Sequence, residues 1–255
     1  MGLFDGKRGV VFGLANKNSI AWGICKRLDE EGAELAIGFT ERLERNVRQL
    51  ADELAHPPLL VPGDLTSDEE IGGAFAAAGD RWGSIDFVVH SVAHARKEDI
   101  SGRFVDISRE GFSFALDFSA YSLIGVTRAA LPLLSTGGSI VTMTYIASER
   151  AFPSYNVMAV AKAALENIVR YLAYDLGPDG VRVNAISAGP VNTLAARGIS
   201  GFRSFQERAR EVAPLRRDVT LDEIGNAAVF LLSDLSSGVT GDVVFVDAGY
   251  HAVGA

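Results

Sequence analysis

Short apolar runs alternate along the chain with stretches whose apolar residues recur at helical spacing. The runs are RGVVFG (8–13), AELAIGF (33–39), PLLVPGD (58–64), IDFVVHS (85–91), SIVTMTY (139–145), VRVNAIS (181–187) and DVVFVD (242–247). They are continuous rather than alternating, which predicts strands covered on both faces. Helical stretches fall near 20–31, 41–55, 68–81, 109–134, 155–176 and 220–234, and TLDE at 220–223 fits a capping box opening the last. Strand and helix in alternation predict an α/β fold: a doubly wound parallel sheet of about seven strands with helices on both faces. No repeat, low-complexity tract or linker interrupts the pattern, so residues 1–255 are expected to form a single domain.

Composition narrows the class. With 48% hydrophobic residues in 255, the chain can bury a large core. No run of about 18 apolar residues predicts a membrane span. The start, MGLFDGKRGVVFGLA, lacks the basic and apolar regions of a secretory signal, and Gly6 stands where a myristoylation pattern needs Ser or Thr. Cys25 is the only cysteine, so an intrachain disulfide or a cysteine metal cluster is ruled out and a cytoplasmic location is expected. A net charge of −8 argues against general nucleic-acid binding.

The first strand leads into GLANKNSIAWG (13–23). Gly13 permits a sharp exit, Ser19 and Ile20 open a helix, and Gly23 is expected to let that helix approach the sheet. A helix N-terminus there suits a pyrophosphate, as in the dinucleotide turn of a Rossmann-like fold, although the spacing is not G-x-G-x-x-G and Ala15 stands where a glycine is ordinary. An ordinary βα turn fits the same residues. FTER ends the second strand, at Phe39–Arg42, where the adenosine ribose is met. Glu41 can accept from ribose hydroxyls and repel a 2′-phosphate, which favours NADH; Arg42 and Arg45 argue for NADPH unless they are solvated helix residues. GDL (63–65) ends the third strand, so Asp64 can bond an adenine amino group or serve as a turn residue, with Leu65 beside it. HSVAHA (90–95) ends the fourth strand, and its small residues, Val92 and Ala95 among them, let a cofactor lie close to the backbone. His90 and His94 lack the accompanying carboxylates of a metal site, so no metal is expected.

SYNVMAVAKAALENIVRYLAYDL (154–176) places Tyr155 and Lys162 seven residues apart. In a helix that is about 20° of rotation and about 10 Å of rise, so both can reach one bound molecule. An amphipathic helix with a packed tyrosine and a surface lysine would show the same spacing. The arrangement resembles the short-chain dehydrogenase/reductase family, whose usual pattern is Ser, twelve residues, Tyr, three residues, Lys. Anchored on Lys162, that pattern finds Met158 and Tyr145 where tyrosine and serine are usual. The combination of Tyr145, Tyr155 and Lys162 resembles the divergent bacterial enoyl-[acyl-carrier-protein] reductase family. GLANKNSIAWG, REGF, YNVMAVAKAALE, GVRVNAISAGPVNTLAA, PLRR and VTGDVVFVDAGYH extend the likeness over nearly the whole chain. His94, where relatives carry a bulky apolar residue, and Thr40, where many NADH-using members have glutamine, depart from it.

The resemblance implies the last reduction of fatty-acid elongation, with NADH as cofactor and NADPH the less favoured alternative. Hydride delivered to the β-carbon of an enoyl thioester leaves charge on the thioester oxygen. A tyrosine set back along the helix suits that offset, so Tyr155 is expected to donate to the enolate and Lys162 to hold the nicotinamide ribose. Tyr145 is expected to line the acyl pocket or to assist proton delivery. Thr40 is expected on the adenosine, and Val191, Asn192, Thr193, Leu194 and Ala195 on the carboxamide and pyrophosphate; Ala95, Tyr145 and Tyr155 face substrate. Residues 193–212, with Phe202 and Phe205, read as a mobile flap over an acyl chain, or as a surface helix with its Phe packed inward. Six arginines (197, 203, 208, 210, 216, 217) against two glutamates between 193 and 217 suggest a docking patch for an acidic acyl carrier protein, unless they pair with Glu207 and Glu211. Apolar residues around the 109–134 and 155–176 helices suggest a homo-oligomer, by resemblance a tetramer. The competing readings are a carbonyl or alcohol oxidoreductase of the same fold and a non-catalytic dinucleotide sensor.

Overall fold

The computed structural model describes residues 2–194, 196 and 201–253. Among them, seven strands form one parallel sheet: β1 Arg8–Phe12, β2 Glu34–Phe39, β3 Leu59–Pro62, β4 Ile85–His90, β5 Leu134–Thr144, β6 Arg182–Ala188 and β7 Val243–Val246, in the order β3-β2-β1-β4-β5-β6-β7. The helices between them are α1 Ile20–Glu30, α2 Glu44–Ala51, α3 Asp68–Trp82, α4 Lys97–Ile100, α5 Arg109–Leu116, α6 Ser122–Ala130, α7 Asn156–Leu176, α8 Phe202–Val212 and α9 Leu221–Leu232.

Neighbouring residues of one strand serve opposite cores, because side chains alternate across a sheet. Val11, Leu35, Ile37, Val89, Val141 and Ile186 pack with α1 and α9, whereas Val10, Ala36, Val61, Val88, Ile140 and Val183 pack with α3, α6 and α7. Most are completely buried, which is why the strands read as unbroken apolar runs. The capping box at Thr220 forms as its sequence predicts, with Glu223 N donating to Thr220 Oγ1 and Thr220 N to Glu223 Oε2.

Three expectations need correction. The segment 109–134 is not one helix: residues Asp117–Tyr121 form a π-helical turn between α5 and α6, and β5 already begins at Leu134. The 41–55 segment starts as a 3₁₀ turn, Glu41–Leu43, and α2 ends at Ala51. Gly23 does not bring α1 onto the sheet; a Cβ there would lie 2.7 Å from Leu221 Cβ and O, so it admits α9 instead. Residues 202–212 form the regular helix α8, with Phe205 turned inward onto the core as one of the two readings of that segment has it. No helix among the described residues is long and apolar enough to cross a membrane.

Candidate active site

The strand order reverses between β1 and β4, and ligands of such sheets lie outside the carboxyl ends of the strands there. Gly13 leaves β1 with φ +108°, and a Cβ on it would stand 2.0 Å from the Ser91 carbonyl oxygen, so only glycine fits. Ser19 precedes α1 but does not cap it. Its Oγ turns back to accept from the Ala15 and Asn16 amides at 3.1 and 3.0 Å, closing the loop into a cup. The first-turn amides of α1, beginning at Ile20, thus carry no side-chain cap, which is the condition for receiving an anion.

The other strand ends ring this cup. Thr40 begins the 3₁₀ turn after β2. Asp64 accepts from Thr66 N at 2.9 Å and Thr66 Oγ1 at 2.8 Å, the turn role that its position allows, with Leu65 buried behind it. Val92 and Ala95 are half-buried on the segment after β4. After β6, Val191 packs on the core, Asn192 and Leu194 are exposed, and Thr193 Oγ1 accepts from Ala196 N at 3.1 Å. Ala195 and Arg197 lie outside the described residues.

Tyr145, Tyr155 and Lys162 meet at the end of β5. Tyr155 is not inside the helix, as its spacing predicted, but is the residue that caps α7, with φ −122° and ψ −15°. Its ring lies 5.2 Å from that of Tyr145, tilted by 60°. Lys162 is 4% exposed, and its Nζ donates to the Met143 carbonyl at 2.7 Å. That excludes the surface-lysine alternative. An ammonium has three N–H donors, so two stay available to a ligand. Burial lowers its pKa to about 8, with Glu166 one turn on opposing the shift. Burial raises both tyrosine pKa values, so both hydroxyls are proton donors at neutral pH. The Tyr145 hydroxyl is buried without a hydrogen-bond partner. Such an atom costs roughly 1–3 kcal/mol unless a ligand satisfies it.

Sequence reasoning missed the surroundings. Phe152, Phe205 and Tyr250 join Tyr145 in an aromatic cage, with ring centroids 5.3–6.4 Å apart. They come from three distant segments, and only Phe205 carried a signal. The π-turn was equally silent. Ser119 Oγ accepts from His94 N at 2.9 Å and donates to His94 O at 3.0 Å, while Ser122 Oγ donates to Phe118 O at 2.6 Å. His90 Nε2 lies 2.9 Å from Ser122 Oγ, and Nδ1 lies 2.8 Å from Thr142 Oγ1, which also donates to the His90 carbonyl at 3.1 Å. Burial pushes the His90 pKa down to about 3, so the ring is neutral at pH 7. His94 is exposed, its ring edge-on to Phe114 and Phe118. Among the described residues no group of three or more His, Cys, Asp or Glu side chains could hold a metal ion.

A glycine turn into α1, a switch point beside it and a tyrosine–lysine set at β5 define a short-chain dehydrogenase/reductase fold with a dinucleotide cleft. Residues 13–251 match the family model described as enoyl-(acyl carrier protein) reductase, and the chain belongs to that family. It is 50% identical to enoyl-[acyl-carrier-protein] reductase [NADH] FabI of Bacillus cereus, over all of both chains. It is 49% identical to the enzyme of Staphylococcus aureus strain MRSA252 named for NADPH, covering 98% of each. A crystal structure of the Bacillus cereus reductase with NADP+ and indole naphthyridinone superposes with a TM-score of 0.98 over 100% of both chains at 50% identity. The reductase of Aquifex aeolicus gives 0.95 at 47% identity, again over all of both.

Lys162 has a stability signature. Its lowered pKa means that the unfolded chain binds more protons between about pH 8 and the ordinary 10.5, so this group's contribution to stability rises with pH across that window. Relative to Lys162→Met, the wild type should gain roughly 2 kcal/mol between pH 8 and pH 10, read from urea midpoints. Parallel pH dependence in both proteins would show that no charge is buried at this site.

Proposed function

We propose that the chain reduces trans-2-enoyl-[acyl-carrier-protein] to the saturated acyl form, with NADH as reductant. The observation that carries this reading is the placement of the phenols. Met158, where a carbonyl reductase of this fold has its tyrosine, is buried in the core, and Tyr155 stands three residues earlier at the cap of α7, its ring 5.2 Å from that of Tyr145, whose hydroxyl lacks a partner. A donor set back in this way suits an oxygen two atoms from the carbon that receives hydride. The alternatives of carbonyl reduction and of a non-catalytic sensor leave that offset unexplained.

The cup at Gly13–Ile20 and the two remaining donors of Lys162 fit a dinucleotide's pyrophosphate and nicotinamide ribose. NADH, when bound, supplies the hydride. Tyr155 donates to the developing enolate oxygen, Lys162 adds positive potential there, and the aromatic cage excludes water and holds the acyl chain. Tyr145 lines that cage. Thr40, Asp64, Leu65 and Val92 border the adenosine, Val191 to Ala195 the carboxamide and pyrophosphate, and Ala95 the substrate. Glu41 favours NADH, and Arg42 and Arg45 are exposed beside it.

The α8 face is the docking surface for the carrier protein. Its arginines are more committed than the sequence suggested: Arg203 pairs with Glu207, Arg208 with Glu211, Arg210 with Asp218 and Arg217 with Glu223. All four are solvent-screened surface pairs, so an acidic partner can exchange for them. The outer face of α5, the π-turn, α6 and α7 forms an open apolar groove lined by Phe114, Leu116, Tyr121, Ile124 and Ile168. Tyr171 and Tyr174 stand exposed on α7, and this side pairs copies into a homotetramer. The lone buried Cys25 is in keeping with a cytoplasmic enzyme.

Tyr155→Phe should lower kcat with trans-2-enoyl substrates by about 10²-fold while KM changes little. An unchanged kcat across chain lengths would remove Tyr155 from the reaction, and turnover of simple ketones in preference to crotonyl-CoA would overturn the reductase reading. Reversing Arg203 and Arg208 to Glu should raise KM for carrier-protein substrates about tenfold and leave short acyl-CoA substrates unaffected; equal effects on both would discard the docking surface. Light scattering should give four times the 27.1 kDa chain mass, and Ile124→Asp in the groove should reduce it. A wild-type monomer would refute the pairing.

A further inference from the structure

Two successive residues of β5 are tied to two residues one turn apart on α7. The Met143 carbonyl accepts from Lys162 Nζ at 2.7 Å, and Thr144 Oγ1 donates to Glu166 Oε1 at 2.7 Å. Lys162, Glu166 and Thr144 are each 4% exposed. Residues four apart share a helix face, so cation and carboxylate lie on the same buried stripe, each clipped to the strand rather than to the other. Taking a carboxylate out of water is costly, and one hydroxyl donor offsets only part of that cost; a cation one turn away offsets more of it. The reaction derived above gives Glu166 no contact with substrate or cofactor. Its place in the structure is explained by Lys162.

We propose that Glu166, oriented by Thr144, is a positioning residue that keeps Lys162 cationic and aimed at the dinucleotide's ribose. The proposal rests on the reductase reading only for the identity of the reaction; it needs a dinucleotide in the cleft, not an enoyl substrate.

Few other groups face Lys162. His90 at the end of β4 is neutral. The end of β5 offers Met143, Thr144 and Tyr145, and α7 begins with the protonated Tyr155. Asp117 and Tyr121 of the π-turn line the outer groove. Arg109 and Glu110 of α5 are exposed, and Lys97 and Glu98 of α4 likewise. Asp99 of α4 is buried against Gly111 with Ser108 beside it. Arg128 of α6 is held by Asp68 and Tyr121, and Arg182 of β6 by Leu231, Ser233 and Ser236. Glu166 is the charge that acts on Lys162 against its burial.

NADH titrations of the full-length protein, followed by cofactor fluorescence from pH 6 to pH 10, test this. The wild-type Kd should be flat at low pH and rise above about pH 8, where free Lys162 loses its proton. In Glu166→Gln the rise should begin at least about one pH unit lower, while the Kd at pH 6 stays within about threefold of wild type. Thr144→Val should shift it less in the same direction, and Thr144→Ser should restore the wild-type profile. Should Glu166→Gln not fold, Thr144→Val decides: a downward shift supports the proposal and an unmoved bend overturns it. A Glu166→Gln protein weakened equally at every pH, one with the wild-type bend, or a wild-type profile with no bend overturns it too. A wild type that shows the profile but turns over no enoyl thioester sinks the reductase reading and leaves Glu166 its role.

Discussion

The contact between the Lys162 ammonium and the Met143 carbonyl is the interaction around which the carboxyl end of this sheet is arranged. An amine there is almost wholly removed from water. In such a place a lysine loses its charge readily, as its lowered pKa shows. The neighbouring groups all bear on that balance. Glu166 opposes the loss, His90 is kept neutral by burial, and the two tyrosines nearby keep their protons. A cation in low-dielectric surroundings acts strongly on charge that develops close to it, which is what an enolate-forming reaction requires.

Holding that arrangement requires irregular backbone. The π-turn at Asp117–Tyr121 is a break in an otherwise continuous helical path, and it presents Ser119 and Ser122 to the segment after β4. π-turns are rare and concentrate at functional sites. Ser154 and Ala248 adopt φ of +60° and +58°, a left-handed conformation disfavoured for residues other than glycine. Ser154 immediately precedes Tyr155, and Ala248 comes just before Tyr250 of the cage, so two of the three non-glycine residues with positive φ among those described adjoin the site, Arg216 being the third. Strain of this kind costs of order 1 kcal/mol per residue and persists where the surrounding packing over-determines it.

The α8 region presents two unlike faces. Its inner face contributes Phe205 to the cage, and its outer face carries arginines joined to carboxylates by surface ion pairs. One short helix thus carries an aromatic contact on one face and paired charges on the other. The pairs neutralise much of the local positive charge in the free protein, so the patch is less basic than a count of its arginines suggests.

The sequence by itself determined the sheet. Seven apolar runs, the Gly13 exit and the Thr220 capping box depend on local periodicity and local backbone needs, which neighbours in the chain express directly. It also determined that Tyr145, Tyr155 and Lys162 belong together, because their spacing brings them to one end of β5 and the start of α7. Only the tertiary structure decided the rest. It moved Tyr155 from the helix to its cap, turned Gly23 toward α9, broke the 109–134 helix, gave Arg210 and Arg217 the partners Asp218 and Glu223, and drew Phe152, Phe205 and Tyr250 around Tyr145. Such features depend on which distant surfaces come into contact, and hydrophobic periodicity carries no record of a partner from another part of the chain.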